Sequence, residues 1–259
     1  LTPPLIYRDL VICGSLEGPL RALSQNDGKS AWECANAHTE YAPALLDGRL
    51  AVIGNTGTVW LLDPKNGQQI GTVTLPAEPR GDPAACGNVL VVPLADNTIA
   101  GVDAKSQQIV WRSESGAIGQ SLRSADTDFV AVRDDGQLSL VDASNGKPRW
   151  QRQLPGTPVG RPAVRARQAL LTFDDRAIAI DLNKGSEIWS TPRPEDGWLE
   201  PARFVGDFAV APTRNGSVLV YGLDARQPRY RLAGGRAVSI AGEGRERLVV
   251  IAGKVLSVY

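Results

Sequence analysis

A template of about forty residues returns along the whole chain, and no other feature constrains the fold as strongly. It is clearest in Leu138-Ser-Leu-Val-Asp142-Ala-Ser-Asn-Gly146-Lys-Pro-Arg-Trp150: an apolar run into Asp142, Asn145-Gly146 three and four residues later, and Trp150 eight residues later. This pattern reads as a β-hairpin. The first strand ends at Asp142, whose carboxylate can accept turn N–H groups. Gly146 supplies the positive φ of the turn, and the second strand carries the aromatic. Equivalent anchors stand at Ser24, Asp63, Asp103, Asp181 and Gly222, so successive anchors are 39, 40, 39, 39 and 41 residues apart. Eight residues past the anchors stand Trp32, Gly71, Trp111, Trp150, Trp189 and Tyr230, and six before them stand Gly18, Gly57, Asn97, Gly136, Asp175 and Gly216. A seventh copy ends the chain, with Gly253 six before Tyr259. Gly, Asn and Asp tolerate the left-handed region, so the upstream column predicts a second tight turn in every unit.

Each repeat opens on a short segment headed by proline or a substitute (Pro4, Pro43, Pro83, Leu122, Pro162, Pro201, Ser239), followed by an apolar strand. These second strands are Leu10-Val-Ile-Cys13, Leu50-Ala-Val-Ile53, Val89-Leu-Val-Val92, Phe129-Val-Ala-Val132, Ala169-Leu-Leu-Thr172, Phe208-Ala-Val-Ala211 and Leu248-Val-Val-Ile251, all expected to be buried on both faces. A third strand follows the glycine turn, and a fourth carries the tryptophan. No ten-residue segment has helical period, so the chain reads as all-β. Four antiparallel strands per repeat are what a propeller blade needs, because such a small sheet cannot bury both faces alone. The expected fold is a single-domain, seven-bladed β-propeller spanning 1–259, with blades near 3–38, 39–78, 79–117, 118–156, 157–196, 197–235 and 236–259. Trp32, Trp111, Trp150 and Trp189 are read as structural wedges between blades. Burying one indole removes on the order of 200 Å² from water, roughly 5 kcal/mol before entropy costs. Trp60, beside Leu61 and Leu62, is read as core. The seventh repeat stops after its third strand. The expectation is that it is incomplete with an open edge, or closed from the N-terminal side by residues preceding Leu1; the lack of any methionine points the same way, to a processed or truncated product.

Balanced charge, 28 basic against 28 acidic residues, argues against nucleic acid and anionic membrane as partners. No stretch has the roughly 20 apolar residues of a membrane-spanning helix. Cys13, Cys34 and Cys86 lack CxxC spacing and read as small buried hydrophobes. The one histidine, His38, lies in a loop, and carboxylates such as Asp96, Asp134-Asp135 and Asp174-Asp175 fall in turns. No catalytic or metal-binding residue is therefore assigned.

In a rigid sheet scaffold, binding residues belong on loops. The turn between the second and third strands lies at the same end of a sheet as the connection to the next sheet, which joins Phe173-Asp-Asp-Arg176 to Thr191-Pro-Arg-Pro-Glu-Asp-Gly-Trp-Leu-Glu200. Asp174, Asp175, Arg176, Arg193 and Trp198, with Glu195 and Asp196 beside them, are the candidate partner-binding residues. The alternative for Trp198 is a plug for the central channel. Arg80, Arg123, Arg161, Arg165, Arg203 and Arg236 fall near the innermost strands and are candidates for an anion-binding channel mouth.

The Asp, glycine-turn and Trp element (Leu62-Asp-Pro-Lys-Asn-Gly67, Val141-Asp-Ala-Ser-Asn-Gly-Lys-Pro-Arg-Trp150, Ile180-Asp-Leu-Asn-Lys-Gly-Ser-Glu-Ile-Trp189) resembles the pyrroloquinoline-quinone-type (PQQ-like) propeller repeat over essentially the whole chain. The ending Arg247-Leu-Val-Val-Ile-Ala-Gly-Lys-Val-Leu-Ser-Val-Tyr259 resembles the BamB-like members, which are eight-bladed periplasmic lipoprotein scaffolds of outer-membrane β-barrel assembly. The resemblance implies an extracytoplasmic, non-catalytic scaffold that meets another protein through its loops, with a small anionic ligand in the channel as a further possibility. Two alternatives follow from the same repeat: a quinone- or anion-sensing domain of a larger membrane-anchored receptor such as a serine/threonine kinase, and a degenerate quinoprotein dehydrogenase. Quinoprotein dehydrogenases of this repeat carry an adjacent Cys-Cys pair, which this sequence lacks, so no PQQ or other cofactor is indicated.

Overall fold

The computed structural model describes residues 2–114, 122–224, 227–232, 238–241, 249–252 and 255–258. Leu248, Gly253, Tyr259 and Arg236, singled out above, lie outside the described residues. The chain divides into two compact units, 1–134 with 139–150, and 135–138 with 151–259. No helix is present among the described residues, and none is long and apolar enough to cross a membrane.

Three four-stranded antiparallel sheets lie wholly in the first unit. They are β1 (Leu5–Tyr7), β2 (Leu10–Cys13), β3 (Leu20–Ser24) and β4 (Ser30–Cys34); β5 (Ala44–Leu46), β6 (Arg49–Ile53), β7 (Thr58–Leu62) and β8 (Gln69–Thr74); and β9 (Ala84–Cys86), β10 (Val89–Pro93), β11 (Thr98–Asp103) and β12 (Gln108–Glu114). A fourth sheet, β13 (Leu122–Ala125), β14 (Asp128–Val132), β15 (Gln137–Asp142) and β16 (Pro148–Gln153), contains residues assigned to both units. The second unit holds the sheet β17 (Ala163–Arg165), β18 (Gln168–Thr172), β19 (Arg176–Asp181), β20 (Ser186–Pro192) and the sheet β21 (Arg203–Val205), β22 (Phe208–Pro212), β23 (Val218–Gly222), β24 (Tyr230–Leu232). Its last sheet, β25 (Val238–Ala241), β26 (Val249–Ala252) and β27 (Val255–Val258), has three strands among the described residues. In most sheets a proline stands immediately before the first strand, where its missing N–H costs the ladder nothing.

Alternate residues of the second strands enter two different cores, as the period of two requires. Ala51 and Ile53 join Leu90, Val92 and Val102, whereas Leu50 and Val52 face Ile12, Ala22 and Trp32. Val89 and Val91 pack instead with Phe129 and Ala131. In the second unit Ala209 and Ala211 meet Leu170 and Trp189, while Val210 joins Val205, Val218 and Val220 on the other face. The expectation of burial on both faces fails in β2, where Ile12 is buried but Leu10, Val11 and Cys13 are only half-buried, and at the head of β22, where Phe208 is exposed. In the β1–β4 sheet the described core covers the face toward β5–β8.

Both turns are built by local chemistry. The anchor carboxylates accept turn N–H groups: Lys65 to Asp63 at 2.8 Å, Lys105 and Ser106 to Asp103 at 2.8 and 2.7 Å, Ser144 to Asp142 at 2.9 Å and Asn183 to Asp181 at 2.8 Å. The fifth residue of each turn is left-handed, Gly67 at φ 70° and Gly146 at 69°, with Gln107 adopting 58° without being glycine. In the upstream column Gly57, Asn97, Gly136 and Gly216 are left-handed, but Gly18 and Asp175 are not. Gly18 precedes Pro19, which drives its neighbour toward extended backbone. The loop at Asp175 is one residue shorter: Phe173 N donates to Arg176 O, whereas Thr213 N reaches past three residues to Ser217 O with Gly216 closing the bulge.

The indoles bind the following repeat. Trp32 Nε1 donates to Pro64 O at 3.2 Å, Trp111 Nε1 to Ala143 O at 2.6 Å and Trp189 Nε1 to Leu223 O at 2.9 Å, in each case the residue after the next anchor. Trp111 stacks on Phe129 with ring centroids 6.1 Å apart, and Trp189 on Tyr221 at 5.8 Å. Room is made on the partner strand, where small residues Ala22, Gly101 and Ala179 oppose Trp32, Trp111 and Trp189 beside a one-residue bulge. Trp150 is half-buried on β16. Trp60 is half-buried against the Ile12 and Trp32 core and lies over Gly54.

Candidate functional site

The antiparallel order puts the β18–β19 turn and the connection leaving β20 at one end of their sheet, and the structure ties them together. Arg193 N donates to Asp175 O at 2.7 Å and Arg193 Nη1 to Asp174 O at 3.4 Å. Asp175 Oδ2 accepts from both Arg176 Nε at 2.9 Å and Arg176 Nη2 at 2.6 Å. That ion pair holds the Asp175 carboxyl below the usual carboxylate range and raises the Arg176 guanidinium, although both side chains remain about half exposed. Trp198 is half-buried on the Trp189 and Tyr221 core, and its Nε1 donates to Phe173 O at 3.1 Å. Asp174, Asp175, Arg176 and Arg193 therefore form one exposed charged surface beside Trp198.

A third segment completes this face, the β22–β23 turn, which the sequence reading did not include. Trp198 pairs with Thr213, Arg214 Nε donates to Trp198 O at 3.1 Å, and Arg214 N to Gly197 O at 3.2 Å. Asp196 Oδ2 accepts from Asn215 Nδ2 at 2.6 Å and Arg231 Nη2 at 3.1 Å. Gly197 is left-handed at φ 69°, and the Arg193 guanidinium occupies the space a Cβ would fill. A signal for this third segment existed in the repeat itself, since every connection out of a fourth strand must pass the equivalent turn of the next sheet.

The proposed channel arginines have separate partners. Arg80 Nη1 donates to Asn97 Oδ1 at 2.9 Å on an exposed surface, and Arg123 is half-buried with Nη1 on Leu122 O at 3.1 Å. Arg161 is half-buried. Arg165 pairs with Asp207 at 2.6 Å, Arg203 with Glu200. Of the five described, Arg165 lines a cleft in the second unit, shared with Arg167. His38 is exposed, and among the described residues no three His, Cys, Asp or Glu side chains are grouped to hold a metal ion. All three cysteines are free thiols.

The sequence matches the family described as outer membrane protein assembly factor BamB over residues 1–93 and 95–251. The chain belongs to the BamB family. It is 22% identical over 214 residues to the outer membrane protein assembly factor BamB of Burkholderia pseudomallei (strain K96243), covering 73% of this chain and 55% of that protein. BamB of Moranella endobia (strain PCIT) is 27% identical over 188 residues, covering 65% and 48%. The chain thus spans about half the length of these BamB relatives. The crystal structure of BamB from Moraxella catarrhalis superimposes with a TM-score of 0.64 at 16% identity, covering 97% of this chain and 93% of that one. The likeness supports the PQQ-like repeat reading and an all-β, propeller-like fold for this BamB-family chain.

Proposed function

We propose that the chain belongs to a non-catalytic, extracytoplasmic scaffold serving outer-membrane protein assembly, and that it meets a protein partner through the Asp174, Asp175, Arg176, Arg193 and Trp198 face. Membership of the BamB family supports the assembly role. The observation that carries the docking face is that Arg193 bonds the backbone of both Asp174 and Asp175 while the charged ends stay exposed. Hydrogen bonding of this kind fixes the loops before a partner arrives, which lowers the ordering cost of association. Exposed charges of both signs around a half-buried indole suit an interface whose rim sets orientation and encounter rate.

The test replaces the native protein in its bacterium by the full-length form carrying Arg176→Glu and Arg193→Glu, and measures folded outer-membrane β-barrel protein. The expected result is the content of a deletion strain at an unchanged amount of the scaffold. A native content with the double variant would overturn the docking face, and a native content in the deletion strain would overturn the assembly role. On this reading no quinone is needed: pyrroloquinoline quinone with calcium leaves the melting temperature unchanged at saturation, and a rise would contradict it.

A further inference from the structure

At the opposite end of the β17–β20 sheet from that face, Arg165, Ala166, Arg167 and Gln168 of the β17–β18 turn border a cleft of about 230 Å³ with Asp181, Asn183, Ile188 and Leu223. At roughly 30 Å³ per water, that space holds about seven waters, the size of one amino-acid-sized ligand. Its walls differ in chemistry. Half-buried Ile188 and Leu223 give an apolar floor, and Leu223 is fixed because its carbonyl accepts the Trp189 indole N–H at 2.9 Å. Two guanidinium side chains border it, Arg167 with Nε on Asn183 Oδ1 at 2.9 Å and Arg165 with Nη2 on Asp207 Oδ1 at 2.6 Å.

We infer that this cleft binds a small aliphatic carboxylate, with Arg165 exchanging Asp207 for the ligand. Asp207 stands on the β21–β22 turn with 82% of its side chain exposed, and an ion pair so exposed is worth at most about 1 kcal/mol. Asp207 is therefore an easily displaced stand-in for a ligand carboxylate. Planar guanidinium favours carboxylate by a two-pronged fit, and the aliphatic part of the ligand covers Ile188 and Leu223. Charge selects the class. Arg165 released from Asp207 offers one positive charge, and Asp181, already engaged by Asn183 N at 2.8 Å and Lys184 N at 3.4 Å, adds a negative wall. A monoanion matches that balance, and a dianion beside Asp181 does not.

The test is isothermal titration of the full-length protein with N-acetylleucine, N-acetylleucinamide and a blocked tetrapeptide ending in free leucine. Binding of the acid should be saturable, with the amide and the Arg165→Gln variant each at least about tenfold weaker, the loss expected for one charge-assisted contact. Asp207→Asn should tighten binding severalfold by freeing Arg165. Arg165 and Asp207 lie at the surface, so both variants keep the native unfolding midpoint. A tetrapeptide that binds at least as well as N-acetylleucine identifies a chain terminus as the source, and one that is excluded identifies a free small acid. Equal binding of acid and amide, no saturable binding, or an Asp207→Asn variant that is unchanged or weaker would overturn the site.

Discussion

Gln107 fills the space that Gly71 leaves empty: a Cβ placed on Gly71 would lie 1.9 Å from Gln107 Oε1. At the same two positions of neighbouring repeats, Trp32 faces Gly67 and Trp111 faces Gly146, with ring carbons 2.5 Å from a Cβ on either glycine. Large and small have exchanged places across one inter-sheet contact. The exchange extends to the ladder, where Leu61 opposes Gly71 while Ala22 and Gly101 oppose the tryptophans. Gly71→Trp alone should destabilise the protein by about 3 kcal/mol through overpacking, whereas Gln107→Gly alone should be near neutral, because relief of the left-handed backbone at φ 58° offsets the packing lost over Gly71. Together they should cost at least about 1 kcal/mol less than their sum, because the indole gains its left-handed glycine platform. Urea unfolding of the four proteins of this cycle measures the coupling, and additive losses would contradict it.

Two glycines with nearly the same backbone separate conformational strain from packing. Gly28 has φ 70° with open space around its Cβ position, and Gly146 has φ 69° under the Trp111 ring. Gly28→Ala should cost about 1 kcal/mol, the left-handed penalty alone. Gly146→Ala should cost roughly 3 kcal/mol and shift Trp111 fluorescence, since the indole must move. Denaturant midpoints with unchanged slopes would show the difference.

Much of the fold was legible because turn chemistry is local. Asp63, Asp103, Asp142 and Asp181 each accept N–H groups from residues two or three positions on, so their role is written in adjacent letters. What the sequence hid lies one repeat away. The Trp32 and Pro64 bond spans 32 residues, and the compensation of Gly71 by Gln107 spans 36. The turn at Asp175 looked like its relatives because a one-residue deletion preserves the aspartate while removing the left-handed position. That Asp174, Asp175, Arg176, Arg193 and Trp198 lie side by side was legible from strand order alone. Arg214, Asn215 and Arg231 reach that face from the next sheet, so strand order within one sheet does not place them, and the signal for them lies in the equivalence of successive repeats.

Alkali should unfold this protein early. Burial pushes the Cys86 thiol from its ordinary 9.0 to about 12, and burial with the neighbouring Glu40 carboxylate pushes Tyr41, whose hydroxyl donates to Pro79 O at 2.9 Å, from 10.0 to about 12. Both groups keep their protons longer when folded than when unfolded. Their contribution is fully present below pH 9 and is lost as pH rises toward 12. Stability measured at pH 8, 9.5 and 11 should fall steadily, and Cys86→Ala should flatten the decline. An identical slope in that variant would remove the thiol from the account.

Trp198 distinguishes a structural anchor from a binding one. Its indole packs on the Trp189 and Tyr221 core, and Nε1 donates to Phe173 O at 3.1 Å. Trp198→Phe keeps most of the packing and loses that hydrogen bond, so it should cost about 1 kcal/mol. Trp198→Ala should cost roughly 3 kcal/mol and loosen the 193–200 connection, which leaves Arg193 free of Asp175. Arg193→Ala instead keeps the backbone bond to Asp175 and loses one long bond, 3.4 Å to Asp174 O, from an exposed side chain, so it should change stability by less than about 0.5 kcal/mol while weakening partner binding. Side-by-side unfolding and binding measurements on the three variants separate the roles: if Arg193→Ala binds its partner normally while Trp198→Ala does not, the indole and not the charged rim makes the contact.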